Sequence, residues 1–255
     1  MLAFLTTIAF LAAVVGGIVG MGGGALLLAA ICCFMPHGQA VPLHGAVQLV
    51  ANSSRVVAFW KDVDWQTVGR FTVGALPGAA IGGLVLWLLG EPRATEPYLK
   101  ALIGFYILVL TYLPKPKSRE GTAARNSWTM MGLIAGAASL TVGAIGPLIA
   151  PLFVRRDFVK ERLVATKAVL QMITHALKLP MFWLIGTIQL AEFSRLLVCM
   201  SIVVIPGTFL GKRLLHRVSP RAFVWFYKVA LTIAGFKLLI IDGACVLFGW
   251  PVASP

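Results

Sequence analysis

The stretch VPLHGAVQLVANSSRVVAFW spans residues 41–60, and the stretch VATKAVLQMITHALKLPMFW spans residues 164–183. At a shift of 123 residues (171 minus 48), both carry a Gln, then a cation, then a Phe-Trp pair. The coincident pairs are Gln48 and Gln171, Arg55 and Lys178, Phe59 and Phe182, and Trp60 and Trp183. Helices rich in Leu, Ala and Gly align with one another easily, but they do not reproduce this polar order. The sequence therefore predicts an internal repeat.

The composition indicates a membrane protein. Of 255 residues, 59% are hydrophobic and only 12% are charged, and the mean hydropathy is +0.89. A soluble domain needs a more highly charged surface. The apolar runs cover residues 2–34, 41–60, 68–89, 99–113, 128–154, 163–185, 196–215 and 223–250. Since a helical span takes about 20 apolar residues, the sequence predicts an all-α polytopic membrane protein with roughly seven to ten crossings.

The repeat boundaries follow from the one polar linker. Residues 114–127 carry several Lys and Arg and separate four apolar runs from four. We therefore expect a first membrane repeat at 1–113, a polar loop at 114–127 and a second membrane repeat at 128–255. A Pro-Gly pair followed by another Gly marks both repeats, as Pro77, Gly78 and Gly82 and as Pro206, Gly207 and Gly211. The spacing of four residues between the glycines predicts close helix packing.

The distribution of charged residues indicates which class of ligand the protein can bind. The net charge is +13, but the basic residues form short clusters between apolar runs, as in the cytoplasmic loops of membrane proteins, and not a nucleic-acid-binding domain. This excess biases a pathway through the protein toward anions. The nine acidic residues lie in or near loops, which counts against a carboxylate-based cation site.

The four Cys form no CxxC motif and no cluster with His, so neither a metal ion nor a cofactor is expected.

The first and fifth runs contain glycine-rich breaks, at Gly22–Gly24 and at Gly143–Pro147. About a dozen residues follow each break, enough for roughly half of the bilayer core. We therefore predict that residues 2–34 and 128–154 are broken or re-entrant. Re-entry places nearly all loop cations on one side, as the positive-inside rule favours. Each repeat then crosses three times, so the two repeats are predicted to be inverted, as in many secondary transporters, with both termini outside the cytoplasm.

Two polar stripes lie at helical spacing within the repeated stretches. The first consists of His44, Gln48, Asn52 and Arg55, and the second of Lys167, Gln171, His175 and Lys178. Polar stripes are costly against lipid, so they should face each other or a hydrated cavity. The predicted anion-binding residues are Gln48, Asn52, Arg55, Gln171, His175 and Lys178, with the tip residues Gly22, Gly23, Gly24, Gly143 and Gly146.

Other roles stay open for these residues. The cations could extend to the membrane interface, the glutamines could join neighbouring helices, and the glycines could serve close packing. Conversely, a helix that begins after a glycine break directs its positive end at an anion. His175 is the candidate for proton coupling because an imidazole titrates near neutral pH.

The first tip, with Gly17, Gly20 and Gly22–Gly24, resembles the sulfite exporter TauE/SafE family of membrane permeases, as do the second tip near Gly143 and the four-plus-four layout. The resemblance implies an exporter of sulfite, a sulfonate or a related organosulfur anion in the cell inner membrane. The second tip departs from the first, since Pro147 stands where the first has Gly24.

The functional expectation is a secondary transporter of a small anion. A passive anion channel of the same architecture is the alternative. An enzyme is not expected, because the sequence has no CxxC and no GxSxG motif. The expected partners are the small anion and the lipid bilayer, with no nucleic acid, and a homodimer stays open.

Overall fold

A computed structural model describes residues 1–19, 22–89, 92–112, 127–154, 160–185, 192–215, 228–229 and 231–245. These residues form helices and loops, with no strand among them. The helices are α1 (Leu2–Val19), α2 (Gly23–Cys32), α3 (His37–Ala58), α4 (Trp65–Leu88), α5 (Pro92–Tyr112), α6 (Ser127–Thr141), α7 (Gly146–Val154), α8 (Lys160–Leu184) and α9 (Ser194–Leu214). A 3₁₀ turn covers Trp60–Asp62, and a π-helical segment, Lys237–Cys245, continues the helix of residues 231–236.

Both predicted breaks are present. Helix α1 ends at Val19 and α2 begins at Gly23, while α6 ends at Thr141 and α7 begins at Gly146. Gly22 has a φ of 92° and Gly143 a φ of 84°. Side chains with a Cβ rarely adopt this region, so glycine is required where the chain turns. Gly20 and residues 114–126 of the predicted polar loop lie outside the described residues.

Each broken run folds back on itself. The ring of Phe4, near the start of α1, lies 5.7 Å from the ring of Phe34, just after α2. Likewise the ring of Trp128 in α6 lies 5.0 Å from the ring of Phe153 in α7. The two ends of each run are thus side by side, and α2 and α7, with 10 and 9 residues, are only about 15 Å long.

Glycines hold together two parallel helix pairs, α4 with α6 and α1 with α9. A methyl group at Gly78 would lie 2.9 Å from the carbonyl carbon of Leu133, and one at Gly82 would lie 2.6 Å from the Ala137 oxygen. The second pair repeats this arrangement, with Gly207 against Phe10 and Gly211 against Val14. These contacts confirm the packing role predicted for the four glycines, since only glycine allows backbones to approach so closely.

Helices α3 and α8, which carry the repeated stretches, pack against each other in antiparallel orientation. His37 at the start of α3 lies 6.3 Å from Phe182 near the end of α8, measured between ring centroids. At the other end, Phe59 packs with Val164 and Ala165, close to the start of α8. The polar stripes of the two helices therefore lie opposite each other inside the protein.

The helix of residues 231–245 packs antiparallel to α5 in the same way. The Tyr112 hydroxyl at the end of α5 lies 2.7 Å from the Thr232 hydroxyl, and Gly243 approaches Ala101 near the start of α5. The last predicted apolar run, residues 223–250, is helical in its described part, residues 228–229 and 231–245.

Two of the described helices, α4 and α9, are long and apolar enough to cross a membrane by length and composition. That is fewer than the crossings predicted from the sequence. Helices α3 and α8 are comparably long, with 22 and 25 residues, but their polar stripes make them less apolar. Helix α2 is apolar but has only 10 residues.

Helix α4 begins at a charged cap outside its apolar stretch. Asp64 accepts hydrogen bonds from the Thr67 backbone N–H at 3.3 Å and from the Thr67 hydroxyl at 3.1 Å, and its carboxylate lies 2.8 Å from the Arg162 guanidinium. Partial burial alone would raise the pKa of Asp64. The hydrogen bonds and the guanidinium charge outweigh burial and lower that pKa below its usual value of 3.8.

Candidate functional site

The eight stripe residues are buried, with exposed fractions of 8% or less. They are His44, Gln48, Asn52, Arg55, Lys167, Gln171, His175 and Lys178. Among them, Arg55 and Lys178 do not extend to a surface, whereas Trp60 and Trp183 at the ends of the repeated stretches are 58% and 69% exposed. The stripes therefore face the protein interior, between α3 and α8.

One set of these residues, the tip-bound group, consists of His44, His175 and Lys178. The His44 Nε2 atom lies 2.9 Å from the Gly24 carbonyl oxygen at the start of α2. The Lys178 ammonium donates a 2.6 Å hydrogen bond to the carbonyl oxygen of Gly143, in the second break. The rings of His44 and His175 meet edge to face, 5.4 Å apart. This group thus ties both glycine tips to the α3–α8 pair through the carbonyl oxygens of the tips.

A second set, the unpartnered-cation group, consists of Asn52, Arg55, Lys167 and Gln171. Arg55 NH1 donates a 2.6 Å hydrogen bond to Asn52 Oδ1. The other two guanidinium nitrogens, Nε and NH2, have no hydrogen-bond partner among the described residues, and neither does Lys167 Nζ. The antiparallel register sets Arg55 of α3 opposite Lys167 of α8, since Phe59 packs with Val164 and Ala165. Two buried cations therefore lie near each other with several donors unused.

No carboxylate in the described part of the chain forms an ion pair with these buried cations. The ion pairs found there are Arg162 with Asp64, Lys100 with Glu96 and Lys237 with Asp242. A charge buried without a counter-charge costs several kcal/mol. A bound anion would supply the missing counter-charge and accept from the unused donors.

The side-chain amides of Gln48 and Gln171 lie against the two glycine tips. A methyl group at Gly24 would lie 3.4 Å from Gln48 Nε2, and one at Gly146 would lie 3.0 Å from Gln171 Nε2. Both glycines stand in the first turn of a short helix, so each glutamine reaches a helix N-terminus. Gly22 is the N-cap residue of α2. Gly23 packs closely on the Ala12 backbone, so a side chain there would collide with α1.

Three positions near the tips were not predicted as site residues. Lys167 and His44 belong to the polar stripes but were omitted from the binding set. Tyr106 of α5 donates a 2.7 Å hydrogen bond to the Ala144 carbonyl in the second break. A single Tyr in an apolar run gives no signal of such a long-range contact. Among the described residues, no three His, Cys, Asp or Glu side chains come together as a metal-binding group.

An all-helical fold that buries cations opposite glycine-broken helices is typical of a membrane transport protein for anions. The sulfite exporter TauE/SafE family matches the chain over residues 5–238, and the protein belongs to this family of membrane transporters. No curated protein and no solved structure gives a significant match.

Proposed function

We propose that the protein is a secondary transporter that exports a small anion, such as sulfite, a sulfonate or a related organosulfur anion, across the cell inner membrane. The observation that carries the proposal is the burial of Arg55, Lys167 and Lys178 with no carboxylate partner among the described residues. Such cations stabilise a fold poorly by themselves, and they suit an anion that enters and leaves.

The packing of the helices supports an inverted repeat. Helices that correspond by the repeat, α3 with α8 and α5 with residues 231–245, run antiparallel to each other. Each parallel pair combines one helix from each repeat. The pair α4–α6 corresponds to the pair α9–α1, because α4 corresponds to α9 and α6 to α1. A twofold axis in the membrane plane relates elements in this way, and inverted repeats of this kind bind substrate at their interface near the midplane.

The folded-back runs support re-entry. Because α1 with α2 and α6 with α7 each return to the side where they start, each repeat makes three crossings in the proposed topology. The termini are then outside the cytoplasm. The ends of α3 and α9 lie together, since the Lys212 ammonium donates to the Ala58 carbonyl, and this end of the protein is the cytoplasmic side.

In this proposal the anion lies between α3 and α8. Arg55 and the amides of Gln48, Gln171 and Asn52 contact it directly, and His175 is the candidate for proton coupling. Lys178, with Gly143, holds the second tip in the arrangement seen here. Gly22, Gly24 and Gly146 allow the helix ends to approach the substrate. Gly23 contributes close packing of α2 on α1.

The test is sulfite flux in proteoliposomes that contain the purified protein. Arg55→Ala removes the buried guanidinium and should reduce flux to near the rate of empty liposomes. Arg195→Ala removes an exposed arginine at the start of α9 and should leave flux unchanged. Wild-type flux in the Arg55 variant would refute the site. Unitary conductance in planar bilayers, far above the turnover of a carrier, would favour the passive channel.

A further inference from the structure

Lys167 is a buried cation that was not predicted to bind substrate. Its exposed fraction is 1%, and its Nζ atom has no hydrogen-bond partner among the described residues. A methyl group at Gly146, the first residue of α7, would lie 3.6 Å from Lys167 Nζ and 3.0 Å from Gln171 Nε2. The ammonium and the amide of α8 are therefore both directed at the N-terminus of α7.

The two polar groups differ at the positions that the repeat relates. His44 corresponds to Lys167, and Asn52 corresponds to His175. In the tip-bound group, His44 and Lys178 form hydrogen bonds with the carbonyls of Gly24 and Gly143, respectively. In the unpartnered-cation group, the ammonium of Lys167 and two nitrogens of the Arg55 guanidinium are free of such contacts. The two groups thus differ in their contacts, and the cationic nitrogens without a partner are concentrated in the unpartnered-cation group.

We propose that Lys167 and Gln171, at the N-terminus of α7, form with Arg55 of α3 a subsite that selects a compact oxyanion with two negative charges. This inference rests on the proposed anion transport and specifies the substrate charge. Arg55 and Lys167 come from the two antiparallel helices α3 and α8, at positions that the packing of Phe59 on Val164 and Ala165 sets opposite each other. A monoanion would leave one buried positive charge uncompensated, whereas a dianion neutralises both. The helix N-terminus adds partial positive charge for the same ligand.

Sulfite and methanesulfonate are a matched pair of probes. Both present three oxygens on sulfur, but at mildly alkaline pH sulfite is a dianion, while methanesulfonate is a monoanion with a methyl group in place of the lone pair. We would measure the melting temperature of the detergent-solubilised protein while titrating each anion as its sodium salt at constant ionic strength. The apparent affinity is taken from the concentration dependence of the shift.

The wild type should bind sulfite with higher affinity than methanesulfonate. Lys167→Met should weaken sulfite binding by about ten- to a hundredfold, because a hydrogen bond to a charged group is lost, and should leave methanesulfonate binding less affected. Lys167→Arg, which keeps the charge, should retain the preference for sulfite. Lys61→Met removes one exposed positive charge in the 3₁₀ turn and should behave as the wild type.

The melting temperature without anion shows whether the variant folds. Lys167→Met should melt at or above the wild-type temperature, because it replaces a buried unpaired ammonium with an apolar side chain of similar length. Wild-type sulfite affinity in Lys167→Met would overturn the role of Lys167, and equal wild-type affinity for the two anions would overturn the charge selection. Both results leave the proposed transport intact if Arg55→Ala still loses flux. Absence of sulfite flux in the wild type would instead refute the proposed function.

Discussion

Gly16 offers a way to displace the Arg55 guanidinium without removing it. A methyl group at Gly16 would lie 2.6 Å from the central guanidinium carbon of Arg55, and ordinary contact begins at 3.4 Å. Gly16→Ala should therefore move the guanidinium by at least about 0.8 Å (3.4 minus 2.6), since the NH2 nitrogen lies nearer still. The end of a long side chain can make this shift, so the helix does not have to move. The 2.6 Å hydrogen bond from Arg55 to Asn52 is then strained or lost.

The expected result separates transport from folding. The displaced guanidinium should lose one charge-assisted hydrogen bond to the anion, worth about 1.5 kcal/mol, and the sulfite concentration for half-maximal flux should rise about tenfold. Stability should change little, because Ala favours a helix over Gly by up to about 1 kcal/mol and this gain offsets the weakened bond between Arg55 and Asn52. The assays are sulfite flux in proteoliposomes and thermal melting of the same preparation. Flux equal to the wild type would refute the placement of Arg55 against α1.

Two other glycine substitutions serve as controls for Gly16→Ala. A methyl group at Gly17 would lie 2.9 Å from the Gly211 Cα and from the Thr208 oxygen, both of which are backbone atoms of α9. Gly17→Ala should therefore separate the helices and cost about 1–3 kcal/mol of stability. Gly69 has no atom within 4 Å of an added methyl, so Gly69→Ala should leave flux unchanged and should melt at or slightly above the wild-type temperature.

Two further predictions concern stability. Tyr106→Phe leaves the Ala144 carbonyl without its 2.7 Å hydrogen bond and should cost about 1 kcal/mol in thermal melting, whereas Tyr112→Phe, at a 60% exposed position, should cost almost nothing; equal effects would refute the role of Tyr106 at the tip. Because the pKa of Asp64 is lower in the folded than in the unfolded protein, its contribution is full above about pH 4 and is lost as pH falls through the folded pKa. Asp64→Asn should therefore lower stability at neutral pH by about 1 kcal/mol or less and flatten the decline in acid, and an unchanged pH profile would contradict this.

The sequence predicted the helix breaks because their cause is local. A positive φ at Gly22 and Gly143 requires glycine, and glycine-rich tips are visible in the sequence. The burial of both polar stripes was likewise predictable, since polar residues at helical spacing within apolar runs are costly against lipid. The packing glycines, such as Gly78 and Gly211, were predicted from their spacing, and the structure confirms them.

The sequence could not predict which site residues contact the tip carbonyls and which remain without a hydrogen-bond partner. The stripe pattern assigns Lys167 and Lys178 to the same face of α8, but which of them meets a tip carbonyl depends on the placement of α7 relative to α8. Tyr106 reaches the second tip from α5 only because the two are brought together by tertiary packing. Long-range contacts of this kind leave no periodic signal in the chain.

Isothermal titration of sulfite into the purified protein and into the double variant Arg55→Met with Lys167→Met tests most directly whether the two buried cations bind the anion. We expect saturable binding to the wild type and no measurable binding to a folded double variant, because the two unpartnered cations supply the counter-charge for the anion. Sulfite binding of wild-type affinity in the double variant would show that Arg55 and Lys167 do not form the anion site.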